Sequence, residues 1–317
     1  MITSDLNQVK TALINGDIIA LPTETVYGLA ANIYLDSALE KVFKLKKRPS
    51  YNPLIVHISN AGILEQVAKN IPAKARELAN IFWPGPLTLV LEKQDQIPDR
   101  ITAGKPTVAV RVPNHPIALQ LLKSLNFPLA APSANPSGSL SPTLAEHVAQ
   151  YFKEEINFIL DGGPCSRGIE STIIGFENDD PILYRHGAIS IEEIKKVIGP
   201  IKIKNQNGKN PSAPGMLSRH YAPKTQLKIY EDLSLALMQD LDKKIGVLSF
   251  KKNKKIKNEI PQEILSISGD LKEASKNLYA ALHRLDQMNL DLIITSFFPE
   301  KDLGKTINDR LKRALKL

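Results

Sequence analysis

The sequence predicts an α/β protein of two domains, a larger one built on a mixed twisted sheet and a smaller α/β unit behind it. Three observations lead there. Strand and helix patterns alternate through the first two hundred residues. The alternation then breaks over 201–225, IKIKNQNGKNPSAPGMLSRHYAPKT, which has little periodicity and is rich in Asn, Gly, Pro and Lys. Beyond it the alternation resumes. A chain of 317 residues is also too long for one small core. The expected division is 1–200, a linker over 201–224, and 225–317.

Taken in order, DLNQVKTALING is an amphipathic helix, with Asp5 and Gln8 spaced as a capping box and Gly16 as its stop. DIIAL, PLIVHI, LTLVLEK, TVAVRV, PLAAP, NFILD, STIIGF and PILYR read as strands. SALEKVFKLKK, AGILEQVAKNI, AKARELANIFW, PIALQLLKSL and TLAEHVAQYF read as helices. Ser190 and Glu193 form a second capping box at the head of SIEEIKKVIG. In the smaller unit QLKIYE, KIGVLSF, EILSIS and DLIITSFF suit strands, and LSLALMQDL, LKEASKNLYAALHRLDQM and INDRLKRALK suit helices.

Composition removes several function classes. No apolar run approaches the roughly 20 residues of a membrane span, and MITSDLNQVK lacks the charged-then-apolar pattern of a secretion signal. The single cysteine, Cys165, excludes an internal disulfide framework and a cysteine metal cluster, and reads as a small packed residue. The cytoplasm is the expected compartment. A net charge of +8 suggests an anionic partner. The excess is not concentrated in one arm: residues 225–317 hold 17 Lys+Arg against 13 Asp+Glu, and the rest 24 against 20. KKNKKIK (251–257) reads as a solvated loop, and 6% aromatics offers no stacking platform for single strands.

The polar residues cluster where strands end. LPTETVYGLAAN (21–32) runs from an apolar strand into Thr23, Glu24 and Thr25 before Gly28 releases the chain. Such an end is either a capped turn or a ligand rim at the carboxyl edge of a sheet. In TVAVRV, alternation puts Thr107, Ala109 and Arg111 on one face, a floor for an anion that arginine can grip with two hydrogen bonds. KLKKRPSYNP sets Lys46, Arg48 and Asn52 beside strand-borne His57, although cations in a last helical turn are favourable for the dipole alone. AAPSANPSGSLSPT and DGGPCSRGIESTII are small-residue loops whose amides and hydroxyls suit phosphate oxygens. PEKDLGKT (299–306) imitates a P-loop, but Pro299 stands where glycine is required. The six histidines include no i, i+4 pair, so no zinc site is expected.

Taken together, LPTETVYGLAAN, KKRP, NPLIVHI, WPGPLTLVL, TVAVRVP, APSANPSG, DGG…GIESTII and YRHGAIS resemble the YrdC family in order and spacing. APGMLSRHYAP and LGKTINDRLKRAL resemble the linker and carboxyl-terminal domain of its two-domain branch. The resemblance implies a YrdC-like twisted mixed sheet with flanking helices and a smaller Rossmann-like carboxyl-terminal domain. It also implies synthesis of threonylcarbamoyl-AMP and pyrophosphate from L-threonine, bicarbonate or CO2, and ATP. A tRNA threonylcarbamoyltransferase complex would use that product to modify the adenosine next to the anticodon. No protein nucleophile is needed for this chemistry; positioning and electrostatics suffice.

By the same resemblance Lys46, Arg48 and Asn52 face the ATP phosphates, and Thr107, Ser133, Asn135, Ser141 and Arg185 complete the nucleotide site, with Tyr221 closing over it. Thr25, His57, Arg111, Ala131 and Ser171 would hold threonine. Magnesium would arrive with the triphosphate, held by phosphate oxygens and water. Two departures stand out: His186 replaces the family's usual proline, and Leu217 and Ser218 replace a basic–aromatic pair. The competing expectation is a double-stranded RNA-binding module without adenylating activity, for which contact with RNA would be the main function. Carbamoyl transfer in hydrogenase maturation calls for Cys-rich zinc fingers that a chain with one cysteine lacks.

Overall fold

The structure is a computed structural model describing residues 1–204, 213–214, 221–233, 236–237, 242–253, 256–257 and 259–315. The larger sheet comprises β1 (Ile2–Thr3), β2 (Ile19–Leu21), β3 (Gly28–Asn32), β4 (Ile55–His57), β5 (Ala68–Lys69), β6 (Leu87–Lys93), β7 (Thr107–Arg111), β8 (Leu129–Ala130), β9 (Phe158–Leu160), β10 (Thr172–Glu177), β11 (Asp180–Arg185) and β12 (Lys202–Ile203). Their spatial order is β1-β9-β2-β3-β8-β4-β7-β6-β10-β11-β12, with β5 on β6. Parallel pairs such as β4–β7 alternate with antiparallel ones such as β6–β7, so the sheet is mixed as expected.

Helices cover this sheet unevenly. α1 (Leu6–Ile14) and α5 (Pro116–Ser124) pack Val9, Leu13, Leu121 and Leu122 against Ile19, Leu21 and Leu129. On the main core side lie α2 (Asp36–Lys46), α3 (Ala73–Phe82), α6 (Ala145–Phe152) and α7 (Ile191–Ile198), with the short α4 (Asp99–Thr102) nearby. Each fully buried Leu or Ile in these layers contributes about 1.5–3 kcal/mol. Around β4, β7, β6 and β10 the remaining apolar patch is small: Ile55, Val90, Ala109 and Ile173 meet Ala213 of the linker rather than a helix. That helix-free face is where the polar strand ends converge.

Local signals explain most element starts. Asp5 caps α1, accepting from the amides of Asn7 at 2.9 Å and Gln8 at 3.1 Å. The return bond of the expected box is made by Thr3, whose hydroxyl takes the Asp5 amide at 3.1 Å. The Ser190–Glu193 box is complete. AGILEQVAKNI is not the helix its apolar spacing predicts. Asn60 caps Gly62, a 3-10 turn runs from Ala61 to Gln66, and Ala68–Lys69 then pairs with Lys93 and Glu92. Edge pairing satisfies that backbone and overrides a modest helical preference.

The smaller sheet holds β13 (Gln226–Ile229), β14 (Ile245–Ser249), β15 (Gln262–Ile264) and β16 (Leu292–Thr295) in the order β13-β16-β14-β15, every pair parallel. With α8 (Leu271–Asp286) and α9 (Leu303–Ala314) it forms the expected Rossmann-like unit. LSLALMQDL falls partly outside the described residues. Leu278, Leu282, Ile307 and Leu311 build its core, which continues into Val26, Leu140 and Ile169 of the larger unit. Gly168 sits so close to α8 that a Cβ there would lie 2.0 Å from the Lys276 carbonyl oxygen. The residues of the P-loop mimic serve this contact: Thr306 donates to the Gly187 carbonyl at 3.1 Å, and Lys305 pairs with Glu192.

His147 of α6 and His283 of α8 stack across the same junction, ring centroids 3.9 Å apart and planes 20° from parallel. Burial pushes both below the ordinary histidine value, His147 to about 3 and His283 to about 4. Unfolded, each titrates near pH 6.5, so the unfolded chain binds more protons below that pH. Stability is therefore complete above about pH 6.5 and declines as pH falls toward 4. Each ring accounts for the order of 1–2 kcal/mol of that loss by pH 5. Calorimetry should find a lower melting temperature at pH 5 than at pH 7.5, with a smaller difference in His283→Gln.

Candidate active site

Register places the central pair. β4 and β7 run parallel with His57 opposite Arg111, so their side chains emerge together on the helix-free face. A pocket with a cavity volume of about 50 Å³ opens there. Thr25, Arg48, His57, Arg111, Ala131, Ser133, Ser171, Arg185 and Tyr221 all line it. Of the other residues expected in the site, Lys46, Asn52, Asn135 and Ser141 are buried in its supporting wall, and Thr107 is half-buried at the start of β7.

The polar strand end is a hydrogen-bonded turn that leaves no hydroxyl idle. Thr23 Oγ1 donates to the Val26 carbonyl at 2.6 Å and lies 2.8 Å from Thr25 Oγ1. Thr25 Oγ1 in turn accepts from Arg111 Nη1 at 2.9 Å. The Arg111 guanidinium also donates to the Gly85 carbonyl at 3.2 Å and meets Glu24 Oε2 at 2.7 Å. Glu24 is a residue that sequence reasoning left without a role; its only signal was a carboxylate in an apolar strand end. Both partners are buried, so each offsets the other's desolvation.

Gly28 has a different task from the one expected. It begins β3 in register with Leu21 rather than releasing the chain, and a Cβ there would come 3.1 Å from that of Ala131 on the pocket wall. Tyr27 donates to the Gly163 carbonyl at 2.9 Å and accepts the Gly162 amide at 3.2 Å. The DGG loop thus packs beneath the rim, with Gly162 against Pro22 and His115, instead of offering its amides to a phosphate.

Cations dominate the other side. Lys46 donates to the carbonyls of Ser133 and Asn135 from the end of α2, tying that helix to the small-residue loop. Arg48 donates to the carbonyls of Asn52 at 3.1 Å and Pro53 at 2.6 Å. Burial and the neighbouring Arg48 hold Lys46 well below the usual lysine value. Burial, with repulsion from Arg185, brings Arg48 down to about 9 despite the opposing influence of Tyr221. Among the described residues neither Lys46 nor Arg48 has a carboxylate partner within ion-pair distance, and the Asn52 side-chain oxygen is buried without a hydrogen bond. Burial also lowers His57 to about 3, helped by the charge of Arg111. Its Nδ1 faces the Ile55 carbonyl at 3.3 Å, which can only accept, so Nε2 is left as an acceptor.

The third wall joins β10, β11 and the linker. Arg185 donates to the carbonyl of Ser171 at 2.9 Å and its hydroxyl at 3.1 Å. Ser171 Oγ lies 2.7 Å from Thr88 Oγ1. Tyr221, at φ 65°, is buried against the pocket, and its neighbour Ala222 donates to the Gly138 carbonyl at 2.8 Å. Glu170, also absent from the expected set, is buried here and accepts from Ser141 Oγ at 2.6 Å. Burial pulls its pKa up, but Arg310, Arg185 and the Ser141 bond outweigh that and bring it to about 2. Leu217 and Ser218 lie outside the described residues. His186 is placed so that its carbonyl accepts from Arg310 at 2.7 Å.

Residues 11–187 match the Sua5–YciO–YrdC family model, described as telomere recombination, and residues 189–315 match the threonylcarbamoyl-AMP synthase C-terminal domain. The chain belongs to the Sua5–YciO–YrdC family. Its relatives include threonylcarbamoyl-AMP synthases of Pyrococcus abyssi and Bacillus subtilis. The first is 41% identical over 94% of this chain and 90% of its own length, the second 41% over 97% and 92%. The crystal structure of P. abyssi Sua5 complexed with L-threonine superimposes with a TM-score of 0.90 at 39% identity, covering 98% of this chain and 93% of that one.

In this Sua5–YciO–YrdC chain, removing one member of a buried ion pair leaves the other charged and unpartnered, a loss of about 3–5 kcal/mol. Arg111→Ala should therefore lower the urea midpoint markedly. The Arg111→Ala/Glu24→Ala double variant should be less destabilised than the sum of its single variants.

Proposed function

We propose that the chain makes L-threonylcarbamoyl-AMP and pyrophosphate from L-threonine, bicarbonate or CO2, and ATP. The observation that carries this reading is one pocket with two separate grips for anions. Arg48 and Arg185 are buried cations on one side, and Arg111 with Thr25 and His57 stands on the other. The activity for which the relatives are named, and the L-threonine bound to the P. abyssi protein, support the assignment of these grips.

Threonine's carboxylate would lie against Arg111, already oriented by Glu24 and Gly85, with Ala131 and Ser171 beside it. Neutral His57 would accept a hydrogen bond at Nε2 from threonine's hydroxyl or amine. The amine takes up CO2 and releases a proton, or takes up bicarbonate and releases water. A carbamate oxygen then attacks the α-phosphorus of ATP, forming a P–O bond as pyrophosphate leaves. Arg48, Ser133, Ser141 and Arg185 would line the nucleotide's path, Lys46, Asn52 and Asn135 would hold the wall behind it, Thr107 would complete its outer side, and Tyr221 would cover it. The protein's part is to align the reactants and to balance developing charge in a site shielded from water.

Among the described residues there is no cluster of three His, Cys, Asp or Glu, and the pocket carboxylate Glu170 is already engaged. This donor set suits a magnesium ion carried by the triphosphate and coordinated by phosphate oxygens and water. A tRNA threonylcarbamoyltransferase complex would consume the product, and a cytoplasmic setting suits the demand for ATP. Among the described residues no helix is long and apolar enough to cross a membrane. The RNA-module reading is not favoured: it leaves the enclosed cations and the Arg111 pocket without a use, and direct contact with RNA is not needed for this chemistry.

Pyrophosphate release should require ATP, magnesium, L-threonine and bicarbonate together. Arg48→Ala should raise the KM for ATP, and Arg111→Lys the KM for threonine, each by about tenfold or more, since a charge-assisted contact of roughly 1.5–3 kcal/mol is lost. Release that persists without threonine overturns the reading.

A further inference from the structure

The proposed chemistry uses residues of the larger unit and the linker, yet one guanidinium from the smaller unit contacts two residues that line the same pocket, Glu170 and Tyr221. Arg310 of α9 is 1% exposed and has every part of its head group engaged. Nε donates to Glu170 Oε2 at 2.8 Å, Nη2 to the His186 carbonyl at 2.7 Å, and Nη1 to the neighbouring Asp309. Its flat face lies 4.6 Å from the centroid of the Tyr221 ring. Tyr279 of α8 donates to the same Glu170 oxygen at 3.0 Å. The smaller unit thus occupies Oε2 of Glu170 and leaves Oε1 to Ser141, while His283 approaches the Ser141 carbonyl at 3.2 Å.

We propose that Arg310 is a positioning residue for the nucleotide site, acting through Glu170 on Ser141 and through ring contact on Tyr221. This rests on the reading of the pocket given above and deepens it by giving the second domain a task. Burying arginine and glutamate is costly unless the pair is well formed and further hydrogen-bonded, and here the completing bonds come from both units. Docking of the smaller unit and the shape of the nucleotide wall are consequently one event. Only a planar fork can hold Glu170 and the His186 carbonyl while presenting a flat face to Tyr221, so lysine cannot substitute.

The test is a double-mutant cycle between Arg310→Gln and Ser141→Ala, read as ATP–magnesium affinity by titration calorimetry on full-length protein, with L-threonine affinity measured alongside. Each single change should weaken ATP by about tenfold, near 1.4 kcal/mol, and weaken threonine less. The double variant should be no weaker than the worse single, because both losses pass through Glu170. Arg310→Lys should behave like Arg310→Gln. Losses that multiply in the double variant, or unchanged ATP affinity in folded Arg310 variants, overturn the proposal. Should circular dichroism find the Arg310 variants unfolded, Tyr279→Phe replaces them in the same cycle, and additivity there overturns it equally. The functional reading fails separately: wild-type protein that binds ATP without threonine-dependent pyrophosphate release overturns that reading and leaves the cycle decisive for the coupling.

Discussion

The buried carboxylate of Glu170 is the point on which both units of this protein depend. An anion enclosed by protein must be matched by donors, and its donors come from three places in the chain: Ser141 in a loop, Tyr279 and Arg310 from the smaller unit. None of these contacts is local, since Glu170 and Arg310 are 140 positions apart. Arranging them brings β10, the end of the linker and α9 to one place. The pocket is then the space left on the sheet face that no helix covers. Its second buried pair, Glu24 with Arg111, holds the opposite side in the same manner.

Much of this was legible in the sequence. Strand alternation alone put Thr107, Ala109 and Arg111 on one face, and the register of β4 on β7 then places His57 and Arg111 side by side. The large α/β division and the break at the linker followed from periodicity. The carboxylates were harder to read, because the meaning of a buried Glu is set by a partner that only the fold supplies. Nothing near Glu24 or Glu170 in sequence announces Arg111 or Arg310. Two other readings were misled by local composition. Gly162 looked like a phosphate-loop glycine, yet its lack of a side chain accommodates Pro22 and His115. AGILEQVAKNI has helical spacing, but a sheet edge claims its last residues.

Lys46 illustrates how a motif residue can serve without lining the pocket. A lysine in the last turn of a helix is ordinarily a solvated counter-charge to the dipole. Here the ammonium is turned inward and joins α2 to the Ser133–Asn135 loop. The side chain thus supports the basic side of the site from behind, by tying the loop to the helix.

The pairing of β1 with β9 carries a consequence for how the chain is made. Ile2 lies beside Ile159, so β1 has no neighbour until the long stretch leading to β9 has also been synthesised. At ordinary elongation rates of roughly 5–20 residues per second, that is a wait of about ten seconds or more. The wall formed by Glu170 is later still, because Arg310 follows Glu170 by 140 positions. A nascent chain therefore carries the residues of the site long before it carries the site, and a ribosome that stalls short of α9 releases a protein whose buried carboxylate has lost its main counter-ion.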